Sequence, residues 1–263
     1  MNNDNRIDEI YQTWDRLAEF GSSRAIEALD FLLAQLCQIT NSQEAYWLGA
    51  LRVRANDPSD PFNGWRPRMI HHLHKKVEIE AYSRRRINEI ETAPIDPSIQ
   101  AHTRLAGKFR AHRMRELVDD EWLQSEYYRE LQAVSGSVDI IYIVMPINED
   151  MESYFQVERT GDSPLYCEAT RDTAAYLVRG IKWFNIELAL SFGLQISQEP
   201  LQPAERRVLH MLLTDKSEKA IAAELNITTN TVHSYVTNIY RKFQVSSRSG
   251  LTALWLGKAV ATV

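Results

Sequence analysis

The sequence predicts an α+β protein in two parts: an antiparallel sheet flanked by helices, then a smaller all-α module. Three observations predict it. Apolar residues recur at helical spacing near the start. Two branched and aromatic runs joined by a polar turn read as a hairpin in the middle. From Leu201 onward only helical periodicity remains.

Ile7, Ile10, Tyr11, Trp14, Leu17 and Phe20 fall at spacings of three and four, an amphipathic helix that Gly21 ends. Ile26, Leu29, Leu32, Leu33, Leu36 and Cys37 repeat the pattern in a second helix. Glu44–Val53 reads as a strand, and Arg54–Pro67, with three prolines, as a long loop. Charged stretches follow: a helical one over Val77–Glu91, then, past a turn at Pro94–Pro97, a second to about Val134. Ser137–Ile147 is the strongest strand, turning at Asn148-Glu149-Asp150 into Glu152–Arg159. Thr170 is placed to cap one long helix reaching Gly193, whose Leu177, Ile181, Phe184 and Leu188 form a connecting rod or dimer seam. Gln195–Pro200 marks the boundary, dividing residues 1–194 from residues 195–263.

With 263 residues, 44% hydrophobic and 25% charged, the chain is long enough for two domains without covalent staples. Its 10 Gly and 9 Pro exclude a fibrous or wholly disordered chain. The two cysteines, Cys37 and Cys167, make no disulfide framework and no metal spacing. The polar N-terminus shows no signal peptide, and the longest apolar runs fall short of a bilayer span, so a cytoplasmic, membrane-free protein is expected. The net charge of −5 hides an asymmetry: residues 201–263 carry +4 and residues 1–200 carry −9. A basic module on an acidic body suits selective phosphate contact.

Within that module, Pro203 and Glu205 suit the start of one helix, Ser217 caps a second, and Thr228 caps a third running to Phe243. Ser249–Leu256 closes the unit. The third helix has two stripes. Val232, Val236, Ile239 and Phe243 face inward; Asn230, Ser234, Thr237 and Arg241 face outward, flanked by His233 and Lys242. An ordinary solvated helix mixes Glu with Lys, but this face carries no acid, as entry into a phosphate-lined groove requires.

Leu201-x-Pro203-x-Glu205, Val208-Leu209, Lys216–Ala222, Thr231–Phe243, Val245 and Arg248 together resemble the LuxR-type helix-turn-helix. The resemblance covers under a quarter of the chain. It implies a third helix in the DNA major groove, with Lys219, Thr229, Asn230, Thr231, His233, Ser234, Thr237, Arg241 and Lys242 at contacting positions. It also implies a dimer contact through the closing helix at Leu251, Leu254 and Trp255. Gln202 stands where the family usually has Thr, and Ala220 where it has Glu, leaving the Ser217 capping box half built. His233 and Tyr235 replace the family's frequent Lys and His, which bears on base preference.

The front domain's element order, over about residues 25–190, resembles GAF/PAS-type sensor domains. Its chemistry is less distinctive. His71, His72 and His74 match no standard metal spacing. The basic clusters Lys75-Lys76, Arg84-Arg85-Arg86 and Lys108–Arg115 are interleaved with acids, as on solvated helix faces with local ion pairs. Trp47, Tyr142, Met145, Tyr154 and Phe155 read first as sheet core and second as pocket lining. Asp119-Asp120 reads as an acidic turn. No G-x-S-x-G, phosphate-binding loop or H-E-x-x-H occurs, so no enzyme is expected. A receiver domain would need an acidic pair after its first strand, where Arg54-Ala55-Asn56 stands. The tryptophan/tyrosine/aspartate pattern of acyl-homoserine-lactone-binding domains is not recognisable.

These observations point to a one-component transcription regulator without cofactor. Its expected partners are double-stranded DNA at a pseudo-palindromic site, a second copy of the chain, a small-molecule ligand and RNA polymerase. A polymerase sigma subunit would need a basic, aromatic front half, which the −9 charge opposes. A small-molecule signalling enzyme with a DNA-binding tail is the alternative from another class.

Overall fold

The computed structural model describes residues 3–53, 59–74, 76–88, 90, 96–194 and 200–255. Two compact units emerge: Met1–Leu17 with Asp30–Asn185, and Ala18–Leu29 with Ile186–Val263. The expected boundary at Gln195–Pro200 lies outside the described residues except for Pro200, as do Leu256, Lys75, Glu89, Glu91 and Pro94.

The helices are α1 (Asn3–Ala18), α2 (Ala25–Thr40), α3 (Val77–Asn88), α4 (Pro97–Arg104), α5 (Asp120–Leu123), α6 (Glu126–Ser135), α7 (Glu168–Arg179) and α8 (Lys182–Ser191). The strands are β1 (Glu44–Arg52), β2 (Trp65–His72), β3 (Arg110–Arg113), β4 (Ser137–Asn148) and β5 (Met151–Thr160). They form one antiparallel sheet in the order β2-β1-β5-β4-β3, so the α+β class with one antiparallel sheet stands. The hairpin pairs Asn148 with Met151, around the polar turn read from the sequence.

Strand alternation sorts the sheet into two unlike faces. Trp47, Ile141, Ile143, Phe155 and Val157 are fully buried on one, where α7 packs. Tyr46, Tyr142, Tyr154, Gln156 and Glu158 lie on the other, roofed by α3, α4 and α6.

Three expectations need correction. The loop at Arg54–Pro67 ends earlier, because β2 begins at Trp65 and pairs with β1. The charged stretch before Val134 contains the edge strand β3, whose Arg110 is buried against Glu152 rather than solvated. The single long helix is two, α7 and α8, and Cys167 rather than Thr170 precedes the first.

Trp14 explains the break. Its indole Nε1 donates to the Leu177 carbonyl at 2.9 Å, occupying an acceptor in the last turn of α7. A Cβ on Gly180 would stand 2.2 Å from Trp14 Cζ2, so only glycine admits the ring.

The second unit contains α9 (Pro203–Leu212), α10 (Glu218–Leu225), α11 (Thr229–Phe243) and α12 (Arg248–Trp255). Val208, Leu209 and Leu212 from α9 meet Ile221 and Ala222 from α10, the inner stripe of α11, and Leu251 and Leu254. The caps fall where local chemistry puts them. Ser217 Oγ accepts from Ala220 N at 3.2 Å and Thr228 Oγ1 from Thr231 N at 3.1 Å. Asn226, in the left-handed region at φ 53°, ends α10 two residues before that second cap. No helix among the described residues is long and apolar enough to cross a membrane.

Candidate DNA interface and ligand cavity

Burial in α11 divides as its sequence stripes do. Val232, Val236, Ile239 and Phe243 are buried, while Thr229, Asn230, His233, Ser234, Thr237 and Arg241 are exposed and Thr231 is half-buried. On α10, Lys219 is exposed toward solvent. Ser234 Oγ donates to the Asn230 carbonyl and Thr237 Oγ1 to the His233 carbonyl, each at 3.0 Å. Both hydroxyl oxygens keep acceptor capacity for an outside donor. His233 Nδ1 lies 3.2 Å from Glu218 Oε2, so an acid from α10 touches a face that is acid-free within α11 itself.

Lys242 stands differently from its expected place. Its ammonium is turned to Glu205 Oε2 at 2.7 Å, with side chains 13% and 7% exposed. Arg248 is structural too: its guanidinium donates to the carbonyls of Leu212, Lys216 and Thr214, closing the end of α9 and the turn after it.

The closing helix, where the resemblance implies a dimer contact, is largely packed within its own unit. Leu251 is fully buried and Leu254 is 7% exposed within their own unit, while Trp255 is half-buried with its ring centroid 5.4 Å from that of Phe243. Leu177, Ile181, Phe184 and Leu188, read as a second seam, are also buried within the chain. Neither stripe offers a free apolar face to a second copy.

The front unit holds a cavity of about 230 Å³ between the sheet and α3, α4 and α6. Of the five aromatic and methionine residues weighed from the sequence, Tyr142 and Tyr154 line it; Trp47, Met145 and Phe155 belong to the sheet core. His72 and His74 line it too, and among the lining residues not singled out from the sequence are the polar Asp96, His102, Gln156 and Glu158. Their one legible signal was the alternation Glu152-Tyr154-Gln156-Glu158, which in a strand reads as a solvent face until helices cover it.

The polar lining is organised. Tyr46 donates to Gln156 Oε1, and Gln156 Nε2 donates to Glu158 Oε1 at 2.6 Å. Burial pushes the Glu158 carboxyl up to about 7, reinforced by the Glu44 charge. Asp96 Oδ1 accepts from Ser98 N and Oγ at the start of α4, and its Oδ2 accepts from Tyr127 at 3.1 Å; burial raises its carboxyl too. Beside the cavity, Arg110 clasps Glu152 with two bonds of 2.8 and 2.7 Å, and Tyr154 donates to the same carboxylate at 2.7 Å. His102 is buried among Tyr142, Tyr154 and His112, and burial drives its imidazole down to about 3, so it is neutral.

The histidines near β2 each have a separate partner: His71 bonds Asp30, His72 bonds Ser83 and His74 bonds Glu44. Among the described residues, no group of three or more His, Cys, Asp or Glu side chains is placed to hold a metal. In the first two basic clusters Lys76 pairs with Glu44 and Arg85 with Glu130, whereas Arg110 of the third is buried against Glu152; Asp119 caps α5.

Residues 199–255 match the family model GerE, described as bacterial regulatory proteins, luxR family. Over 57 residues, 22% of this chain, the sequence is 39% identical to the probable HTH-type transcriptional regulator GfsR of Streptomyces halstedii. That match spans about a quarter of the curated relative's length, 24%. The crystal structure of the VqsR LBD domain from Pseudomonas aeruginosa aligns at TM-score 0.50 and 14% identity, covering 68% of this chain and 95% of that one. SdiA in complex with octanoyl-rac-glycerol aligns at TM-score 0.49 and 12% identity over 98% of this chain and 97% of its own. Over 68% of its length the chain therefore shares the fold of the VqsR domain, and its residues 199–255 match the luxR family of bacterial regulatory proteins.

Proposed function

We propose that the protein is a transcription regulator that binds double-stranded DNA through α11 and answers to a small molecule held in the front cavity. The observation that carries the reading is the outward face of α11, exposed and uncharged at its N-terminal half and cationic at Arg241, over a fully packed inner stripe. Such a face suits major-groove entry, with His233 and Ser234 over base edges and Lys219, Thr229, Asn230, Thr231, Thr237 and Arg241 around them. Lys242, held by Glu205, serves the fold of the unit rather than the phosphates. In this reading function divides between residues 1–194 and 195–263, with the front domain a GAF/PAS-type sensor. A homodimer on a pseudo-palindrome, with RNA polymerase as a further partner, follows from the family resemblance rather than from any free apolar face. Trp255 is the expected dimer residue that keeps part of its surface exposed.

Selection from a pool of random duplexes by the full chain tests the reading. A recovered consensus that Ser234→Ala or His233→Ala relaxes at one or two positions is expected. Equal retention of random duplexes and single strands would remove it.

A further inference from the structure

The floor of the front cavity carries a carboxyl in an unusual situation. Glu158 is 6% exposed and sits directly opposite Glu44 in the antiparallel pairing of β1 and β5, on the same face of the sheet. Like charges at opposed positions repel, and burial magnifies the repulsion. Glu44 has its own cation, Lys76, and the His74 ring besides. Among the described residues, Glu158 has no ion pair within 4.0 Å; its hydrogen bond is from the neutral amide of Gln156.

A second, independent observation lies at the other end. His102 lines the same cavity, is 3% exposed, and has no hydrogen-bond partner at either ring nitrogen among the described residues. A neutral imidazole offers one donor and one acceptor, and leaving both unmade in a buried site costs free energy. His102 stands edge-on to Tyr142 and to Tyr154, and Tyr154 is four residues from Glu158 on β5, ~13 Å along the strand. Tyr46 and Tyr142 flank Gln156, between Tyr154 and Glu158 in register, and Leu48, Ile70 and Ile99 also line the cavity.

We infer that this cavity takes a small amine-bearing molecule: its ammonium against Glu158, its apolar or aromatic body between Tyr46 and Tyr142, and a polar group toward His102. This rests on the reading of the front unit as a ligand-controlled domain and names the ligand's chemistry. A cation on Glu158 relieves the repulsion with Glu44, and the tyrosine faces favour it further. A carboxylate ligand is disfavoured, because the lining already holds the buried carboxyls of Glu158 and Asp96 and its cations face acids. Arg66 pairs with Asp60 at 3.0 Å, and the charge of Arg86, which lies over the Tyr127 ring at 4.1 Å, acts on Asp96. The volume, about 230 Å³, lies near the lower end for ligand pockets and suits a compact molecule.

The test is calorimetric titration of the full chain with three probes sharing one ring: tyramine (ammonium), tyrosol (hydroxyl) and 4-hydroxyphenylacetate (carboxylate). Tyramine is expected to bind at least tenfold tighter than tyrosol, and the acid not measurably. Glu158→Gln should cost tyramine at least tenfold and tyrosol less than twofold. Should that variant fail to fold, the wild-type pH profile decides. Tyramine affinity rises between pH 6 and pH 8 as Glu158, under the influence of Glu44 and Lys76, becomes ionised, whereas tyrosol affinity stays level. Tyrosol binding as tightly as tyramine, preference for the acid, or no binding of any probe at millimolar concentration overturns the inference. Affinity for the selected duplex is followed in the same samples. Amine binding in the expected order with unchanged DNA affinity supports the ligand class and overturns the regulatory reading instead.

Discussion

Lys242 Nζ and Glu205 Oε2 lie 2.7 Å apart across the C-terminal unit, joining the end of α11 to the start of α9. The same carboxylate oxygen accepts the Gln202 backbone N–H at 2.8 Å, so one acid caps a helix and neutralises a lysine. Lys242 thereby leaves the DNA-facing set, and the duties of the two neighbouring basic residues on α11 separate. Lys242→Ala is expected to destabilise the unit by about 1.5–3 kcal/mol, since it strands a buried carboxylate. Urea unfolding of the variant measures this, and its DNA binding, once folded, should keep the parent's salt dependence. A variant of parental stability with a flatter salt slope would return Lys242 to the phosphates.

Arg241 is the complementary case. It is exposed at the end of the outward face, held by one long bond of 3.5 Å to Asn238 Oδ1. Arg241→Ala should leave stability unchanged and lower the slope of log K against log salt by about one unit, on every duplex alike. Titrations at four salt concentrations suffice to measure it.

Gly180 bears the Trp14 ring. A methyl group there would overlap the indole, and the Trp14 bond to the Leu177 carbonyl leaves the ring little room to retreat. Gly180→Ala is expected to cost about 1–3 kcal/mol of front-unit stability. Thermal unfolding of the variant reports it, and an unchanged transition would show that the ring can step aside.

Glu158 makes the unliganded protein's stability depend on pH. Its folded-state carboxyl titrates at about 7, above the 4.5 of a free side chain, so folding favours the protonated form. The stability it contributes is complete below pH 4.5 and is lost as pH rises through 7. Glu158→Gln should therefore be more stable than the parent at pH 8, by up to about 3 kcal/mol, with the difference closing toward pH 5. Denaturant midpoints at the two pH values show the sign.

The closing helix gives a prediction about assembly. Leu254 is 7% exposed inside its own unit, so Leu254→Glu should unfold the module. Trp255→Glu, at a half-buried position, should instead leave it folded. A dimer protecting two half-sites roughly 10 bp apart, centre to centre, which Trp255→Glu weakens, is the expected footprint. Sedimentation of the full chain as a monomer would exclude it.

The helices of the C-terminal module were legible in the sequence because their caps and stripes are local. Ser217 and Thr228 cap their own helices, and the i, i+4, i+7 stripe of Val232, Val236 and Ile239 needs only the neighbouring helices to bury it. The hairpin of β4 and β5 was legible for the same reason, its turn and its alternation lying within one short stretch. What only the tertiary structure decided comes from partners far apart in the chain. Arg110 and its edge strand are specified by Glu152, 42 residues on, and the break between α7 and α8 by Trp14, 163 residues before Leu177. The inward turn of Lys242 depends on Glu205, 37 residues away. Glu158 and His102 look like ordinary polar residues until α3, α4 and α6 cover the sheet. Periodicity records which way a side chain points from its own element, but whether water, a distant carboxylate or a cavity meets it there is set by long-range packing.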